Sequence, residues 1–399
     1  MSHPVLSAAE SALAASLAWA GELSLLGLRR QTLLISRTKR HPAPDTPWVI
    51  AATAAVKKIC GSGQALVTGW NRLPFNLALW SSRKMEGAAI VALPAPPGEE
   101  EDILAHAPPR YLVVWPRQPL KGPEALRQRD LLLAWLSDGA YALHVRPGGN
   151  MAAAREVLLK RNCPVIEWPA VLPPLTRGGR GGEALPNSLP RPQKKPGLVS
   201  EIELPTPWDH LTHFTRGPEG AWPGETRASY LDWLGGGAPF APRDGFAALC
   251  RILREKRLRA GGKLLPSSIP MVCFSALPPP QAAPLRRWRK GLARWTFSHY
   301  GLAIRKETLI KLGAQPVRYV SREELRQAPA EERRFLQLAA SQEFAWSSEA
   351  EWRVRGDINL AGLPASSLLA LVTTPAEAQT LTAEFGLKAY VNLNGQGLG

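Results

Sequence analysis

From Gln31 to Trp168 the chain alternates short, largely apolar runs with helix-patterned segments, and this alternation restricts what it can fold into. The runs are "TLLIS" (32–36), "ALVT" (65–68), "AAIVALP" (88–94), "YLVVWP" (111–116), "AYALHV" (140–145) and "PVIEW" (164–168). A strand with one wet face alternates polar and apolar residues. Nearly continuous apolar runs of this length fit strands covered on both faces. Between them, "WVIAATAAVKKIC" (48–60), "RDLLLAWLS" (129–137) and "MAAAREVLLKR" (151–161) carry helical patterns. The expected class is α/β, with a parallel sheet between two layers of helices.

The ends of this region look different. The N-terminal stretch "SAAESALAASLAWAGELSLLGLRR" is apolar, but it lacks a basic n-region and is interrupted by Glu10 and Glu22. It therefore fits neither a signal peptide nor a membrane span. Ser7 followed by Glu10 forms a capping box, so a soluble helix is expected there. Residues 169–197, "PAVLPPLTRGGRGGEALPNSLPRPQKKPG", are rich in Pro, Gly and basic residues with no apolar period, as in a linker or an extended arm. Residues 198–399 mix elements without regular alternation. A helix is expected at "FAALCRILREKRLRA" (246–260), strands at "MVCFS" (271–275), "GLAI" (301–304) and "PVRYV" (316–320), and a helix at "EERRFLQLAASQ" (331–342). Strands follow at "EWRVRGD" (351–357) and "SLLALVTT" (367–374), then a final helix. The expected organisation is an α/β domain at 1–168 with an N-terminal helix, a linker at 169–197, and an α+β domain at 198–399.

A net charge of +16 and a pI near 10.1 favour an anionic partner such as a nucleotide, DNA or RNA. Cys60, Cys163, Cys250 and Cys273 lie far apart without a C-x-x-C pair, which argues against a disulfide framework or a zinc site and suits a reducing cytoplasm. No metal and no membrane association are expected.

In open parallel sheets, ligands bind where loops leave the carboxyl ends of the strands. Arg37 follows the first strand, and "TGWNRLPF" (68–75) carries Gly69, Asn71 and Arg72 after the second. Arg129 and Asp130 are placed at the opening of a helix, and "HVRPGGNMAAAREVL" presents Gly148, Gly149 and Asn150 before another. Glycines permit tight turns and close approach to phosphate, and arginines supply forked donors. The order strand-"SR", "VTGWNR", "RD", strand-"RPGGN" resembles the SLOG superfamily, which includes DNA-processing protein A and the lysine decarboxylase-like nucleotide phosphoribohydrolases. The resemblance implies a Rossmann-like fold over roughly residues 30 to 170 and a nucleotide-derived ligand at these residues. "PGGNM" departs from the phosphoribohydrolase motif: Met151 and Ala152 replace its Gly-Thr pair, and Ala154 stands at its catalytic glutamate. Without that carboxylate no group is evident to activate water, so binding rather than hydrolysis is expected.

The second half holds "HLTHFTRG" (210–217), where His213 and Thr215 share one strand face, and "WSSEAEWRVRGD" (346–357), with Glu349 and Glu351 spaced along a strand. The order "HFT", "LCRILREKRL", "AEWRV" resembles the DNA-targeting ADP-ribosyltransferase toxins. That resemblance implies NAD as cofactor, held by His213 and Thr215, with Glu351 catalytic and Glu349 its helper. Arg227, Arg243 and Arg259 are alternatives for the family's arginine. "W-x-x-E-x-E-W-R" also resembles a motif of abortive phage infection proteins. Against these stands a structural pairing of Glu351 with Arg353. The pair His210/His213 lacks a third ligand for a metal.

The densest basic patch is "PLRRWRKGLARWTF" (284–297). Arg286, Arg287, Trp288, Arg289, Lys290 and Arg294 there suit phosphate contact and base stacking, or else an amphipathic helix with its tryptophans in the core. Together the two resemblances imply a sensor–effector protein of anti-phage defence. Its SLOG-like domain would control an NAD-using effector, so that Glu351→Ala would abolish NAD consumption and leave the fold intact. The alternatives are a non-enzymatic nucleic-acid-binding protein and a subunit of a larger defence assembly.

Overall fold

The computed structural model describes residues 15–36, 42–98, 103, 105–168, 204–218, 220–237, 239–261, 269–289, 294–339 and 346–391. The 169–197 linker, the Ser7/Glu10 capping box, Arg37 and Lys290 lie outside the described residues. The chain divides into two compact units, Met1–Arg180 with Glu219–Ala241, and Gly181–Pro218 with Pro242–Gly399.

The first unit is built on seven strands: β1 (Leu17–Gly21), β2 (Arg30–Ile35), β3 (Ala65–Gly69), β4 (Ala88–Ala92), β5 (Arg110–Pro116), β6 (Gly139–His144) and β7 (Val165–Glu167). Their spatial order is β1-β5-β4-β3-β2-β6-β7, and all neighbours run parallel except β1 on β5. Helices α1 (Pro47–Gly61) and α2 (Leu73–Lys84) pack on Leu33, Ile35 and Leu66. On the other face α3 (Gly122–Leu136) and α4 (Asn150–Lys160) pack on Leu34, Val67 and Ile90. Consecutive residues of one strand thus enter opposite cores, which is why these strands show no polar alternation. A Rossmann-like α/β unit is the result.

Helix α5 (Arg227–Gly235) also belongs to this unit, burying Tyr230, Leu231 and Leu234 in the cluster that holds Trp48, Val49, Leu77 and Trp80. Asp232 on the same helix accepts from Trp80 Nε1 at 3.0 Å and lies 2.9 Å from Lys84 Nζ.

Two expectations for this half are corrected. Residues 17–21 form an edge strand rather than continuing an N-terminal helix. Their backbone ladder to β5, Leu17 opposite Pro116 through Gly21 opposite Leu112, prevails over the helix preference of Ala and Leu. Arg129 and Asp130 do not open a helix. The helix starts at Gly122 with Pro at its first turn, so both residues sit two turns inside it.

The second unit contains β8 (His210–Thr215), β9 (Met271–Ser275), β10 (Tyr300–Arg305), β11 (Gln315–Pro316), β12 (Glu351–Arg355), β13 (Leu368–Val372) and β14 (Ala389–Val391). They lie in the order β11-β12-β9-β8-β10-β13-β14, antiparallel except for the parallel pair β13–β14. Helices α6 (Gly245–Glu255) and α7 (Pro375–Phe385) cover one face with Leu249, Leu253, Ala378 and Leu381. This is an α+β arrangement. The helix expected over 331–342 is limited to Ala330–Arg333, because Leu336–Leu338 is drawn into a parallel strand pair with Arg318–Val320. Residues 284–297 are not an amphipathic helix. Trp288–Arg289 and Arg294–Trp295 form a two-stranded ribbon, with Trp288 opposite Trp295 and Arg289 opposite Arg294. Among the described residues no helix is long and apolar enough to cross a membrane.

Candidate functional site

The first sheet fixes where a ligand site can lie. The chain leaves β2 toward β3, β4 and β5 on one side, then returns to place β6 and β7 on the other. The reversal falls between β2 and β6, and at such a point the loops leaving the carboxyl ends diverge and open a crevice. The two loops are tied across the gap. Ser36 N–H donates to the His144 carbonyl at 2.6 Å, and Arg146 N–H donates to Ser36 Oγ at 2.8 Å.

Beyond this tie the "RPGGN" loop turns into α4. Gly148 has φ +70° with open space around it, a conformation glycine adopts without strain. Gly149 caps α4 in extended conformation, and Asn150 is its first residue. Arg146 is exposed and its guanidinium folds back beside Gly149, where a Cβ would sit 3.9 Å from Nε and Nη2. A cation thus lies beside a helix N-terminus, where backbone N–H groups already favour an anion. The sequence reading passed over Arg146, although it precedes the glycines by two residues.

The neighbouring loop after β3 is arranged differently. Gly69 is set by packing: a Cβ there would lie 2.7 Å from the Phe75 ring and 3.3 Å from Arg129 Cδ. Asn71 takes φ +64°, its N–H held by Asn76 Oδ1 at 3.1 Å, and both Asn71 and Arg72 are exposed. Arg129 and Asp130 are 1% and 2% exposed. Arg129 donates from Nε and Nη2 to Asp130 Oδ1 at 3.0 and 2.6 Å, and from Nη1 to the Trp70 carbonyl at 3.1 Å. Asp130 Oδ2 accepts from Asn150 Nδ2 at 3.0 Å. Burial pulls the Arg129 guanidinium down from its ordinary value, and Asp130 opposes the shift. These residues form a buried strut joining the Trp70 loop, α3 and the start of α4. Their charges are spent on one another, so they position the rim, and among the described residues of the two loops Arg72 and Arg146 are exposed cations.

In the second unit, the register decides which residues share a face. Ser275 pairs with both Glu351 and Thr212, so these three point to one side of the sheet. His213 and Thr215, each an odd step from Thr212, point to the other side. There His213 meets Phe274 edge-on at 5.8 Å, and Thr215 Oγ1 donates to the Gly245 carbonyl at 3.2 Å. Glu351 instead accepts from Arg353 Nε at 2.8 Å and Nη2 at 3.3 Å. Arg353 is 1% exposed and also donates to the carbonyls of Arg334 and Leu336 and to Gln337 Oε1, at 2.8, 3.2 and 2.9 Å. Glu349 lies in the short 3-10 turn before β12, and its carbonyl accepts from Ser275 Oγ at 2.7 Å. The structure does not bring Glu351 together with His213 and Thr215. Cys273, beside Arg353, has its thiol pushed up to about 12, by burial first and then by Glu351, so it stays protonated at neutral pH.

His213 has a structural task. Its Nδ1 lies 2.9 Å from the Cys273 carbonyl. A carbonyl only accepts, so Nδ1 carries the proton. Burial holds this imidazole below its usual range, and it lowers His210 and His299 in the same unit as well. Because the folded value is depressed, the unfolded chain binds more protons below the ordinary value of 6.5. Stability of this unit is therefore expected to be fully present above that pH and to fall as acidification proceeds toward the folded values. Thermal melts between neutral and mildly acidic pH check this, and His213→Asn, which keeps a donor and removes a titration, should flatten the dependence.

Of the basic patch, Arg286 lies 4.4 Å over the Trp295 ring, which is 43% exposed, and Arg287 flanks the ribbon. The backbones of Trp288, Arg289 and Arg294 form its strands.

No family model matches the chain, and no curated protein matches it. Solved structures similar to it include DNA processing protein A from Helicobacter pylori, described for its single-stranded DNA binding mode. It is 15% identical over 39% of this chain and 73% of that one, with a TM-score of 0.32. DNA processing protein A from Streptococcus pneumoniae is 13% identical over 39% of this chain and 56% of that one, at a TM-score of 0.33. A molybdenum cofactor binding protein from Rippkaea orientalis is 18% identical over 35% and 76%, at a TM-score of 0.27.

Proposed function

We propose that the first unit is a receptor for a nucleotide phosphate, carried by a free nucleotide or by a single-stranded nucleic acid, and that it binds this group without hydrolysing it. The carrying observation is the placement of Arg146 against the N-terminus of α4 at the point where the sheet order reverses. Arg72 supplies a second exposed cation from the adjacent β3 loop. The acid group that enters this network, Asp130, is buried and occupied by Arg129 and Asn150, and Ala154 offers no carboxylate. Neither of these two positions therefore supplies a free carboxylate for general-base activation of water. An overall charge of +16 suits either phosphate source. The NAD reading of the second unit receives no support from an assembled site, since Glu351 and the His213/Thr215 pair occupy opposite faces of its sheet.

Calorimetric titration of the full chain with ATP, and separately with a short oligothymidylate, tests the proposal. Arg146→Ala is expected to weaken binding of the preferred probe roughly tenfold, the loss typical of one charge-assisted hydrogen bond. ATP should be recovered unchanged. A preference for the oligonucleotide with affinity falling steeply with salt identifies nucleic acid as the source. Failure of both probes to bind, or release of phosphate or base, overturns the reading.

A further inference from the structure

The strand β1 closes the first sheet at one edge, and its ladder decides which backbone groups are left over there. Arg117 N–H donates to the Ser16 carbonyl, and Glu22 N–H donates to the Tyr111 carbonyl. With Leu17 opposite Pro116 and Gly21 opposite Leu112, these bonds fix the alternation of the antiparallel pair. Ala18 and Ala20 turn their N–H and C=O toward β5, whereas Leu17, Trp19 and Gly21 turn theirs away from the sheet. Among the described residues no strand takes up that outward row. An open row of this kind is a template for another strand, and proteins blunt it with charge, proline, a bulge or extreme shortness. The opposite edge of the sheet is blunted: β7 has three residues, and its Glu167 is tied to Arg155. The five residues of β1, "LAWAG", have none of these devices and leave Trp19 50% exposed. Exposed Leu23 and Leu26 follow in the adjoining turn (Leu23–Gly27), whose Leu25 shares a core with Leu17 and Leu132. On that face a cavity of about 570 Å³ opens beside Leu17, walled by Leu131, Leu132 and Trp135 of α3 together with Arg117 and Gln128.

We propose that β1 pairs antiparallel with β1 of a second copy of this chain, about a two-fold axis at Trp19, so that two seven-stranded sheets join into one. Centring the pair on Trp19 engages every outward group: Leu17 of each copy meets Gly21 of the other, and Trp19 meets Trp19. The edge is then its own complement, as a closed homodimer requires. Charge is compatible with this partner. Each copy carries +16, which opposes association through its basic surfaces, but "LAWAG" has no ionisable side chain. At either end the register sets Glu22 of one copy beside Ser16 of the other, whose neighbour across the ladder is the exposed Arg117. An acid of one copy thus approaches a base of the other twice. The chain passes from Gly21 into the Leu23–Gly27 turn, so Leu23 and Leu26 of each copy arrive at the Leu17 end of the other, where the cavity opens. Pairing at this edge is independent of what the "RPGGN" loop binds.

Sedimentation of the full chain tests this directly: the wild type is expected at twice the 43.4 kDa of one copy. Trp19→Lys and Trp19→Glu each set like charges directly opposite one another at the two-fold, so each variant alone should sediment as a single copy. Their equimolar mixture should recover the dimer, because lysine then faces glutamate. Trp19 is half exposed, so neither change should disturb the ladder to β5. Hydrogen exchange verifies this and reads the pairing as well. The amides of Leu17 and Gly21 should exchange more slowly in the wild type than in Trp19→Lys, while those of Ala18 and Ala20, already bonded to β5, should exchange alike in both. A wild type that sediments as a single copy overturns the inference and leaves the edge to a strand from another protein. A dimer that survives in both charged variants, or a mixture of them that stays unpaired, overturns it too.

Discussion

Replacing Arg129 with alanine is expected to destabilise the first unit by about 3–5 kcal/mol, the range for breaking a buried ion pair from one side. The substitution leaves the buried Asp130 carboxylate with the hydrogen bond from Asn150 Nδ2, and it removes the donor that holds the Trp70 carbonyl. The double change Arg129→Ala with Asp130→Ala should cost less than Arg129→Ala alone, since no uncompensated charge is left behind. Two compact units need not unfold together, so one melting curve does not isolate the effect. Hydrogen exchange of the β3 and β6 amides in the full chain does isolate it. A loss below about 1 kcal/mol, the scale of an exposed pair, would show that water enters the strut and that these residues remain open to ligand.

That strut marks where the sequence stops being informative. The sheet was legible because strands covered on both faces must be apolar at every position, and Leu33, Leu34 and Ile35 enter two different cores accordingly. Charged residues carry the opposite expectation. "RD" reads as an exposed helix start, yet Pro123 begins the helix two turns earlier and turns both charges inward toward Trp70 and Asn150. Arg72 and Asn71 were legible and remain on the rim. Arg146 was missed because attention falls on glycines, whereas the position of its guanidinium beside Gly149 is visible only in the folded loop. The docking of α5 was not legible for a different reason. Nothing local in "TRASYLDWLG" states which unit Tyr230, Leu231 and Leu234 will pack against, and only the tertiary fold decides it.

The second half shows the same limit with a larger consequence. A motif fixes the order of residues and not the face on which they land. Between β8 and β12 the intervening strand β9 sets the parity: Ser275 faces with Glu351 and Thr212, and a single residue step separates that face from His213 and Thr215. A shift of one position in either ladder would have put Glu351 on the same face as His213, with β9 between them. The side chains agree with the register, since His213 meets Phe274 in the core while Glu351 meets Arg353 on the reverse side.

Glu351→Ala is consequently expected to act first on stability. Arg353 is 1% exposed and Glu351 supplies its carboxylate, so the truncation leaves a buried guanidinium with only carbonyl and amide acceptors. A loss of about 3–5 kcal/mol in the second unit follows from breaking such a pair. Glu351→Gln, which keeps an acceptor at the same reach, should lose less, and Glu351→Ala combined with Arg353→Met should recover part of the loss because the stranded charge is gone. A catalytic carboxylate behaves in the opposite way: alanine and glutamine abolish turnover alike, and the fold is indifferent to both. Exchange at the β12 amides Trp352–Arg355, measured beside NAD consumption in the full chain, separates the two. Unchanged protection with lost NAD consumption would restore Glu351 as a catalytic group. Protection that falls in Glu351→Ala and returns in the double variant would make the "EWR" sequence a strand-pinning ion pair. The cause would lie in burial, because a guanidinium 1% exposed is costly without a carboxylate within reach.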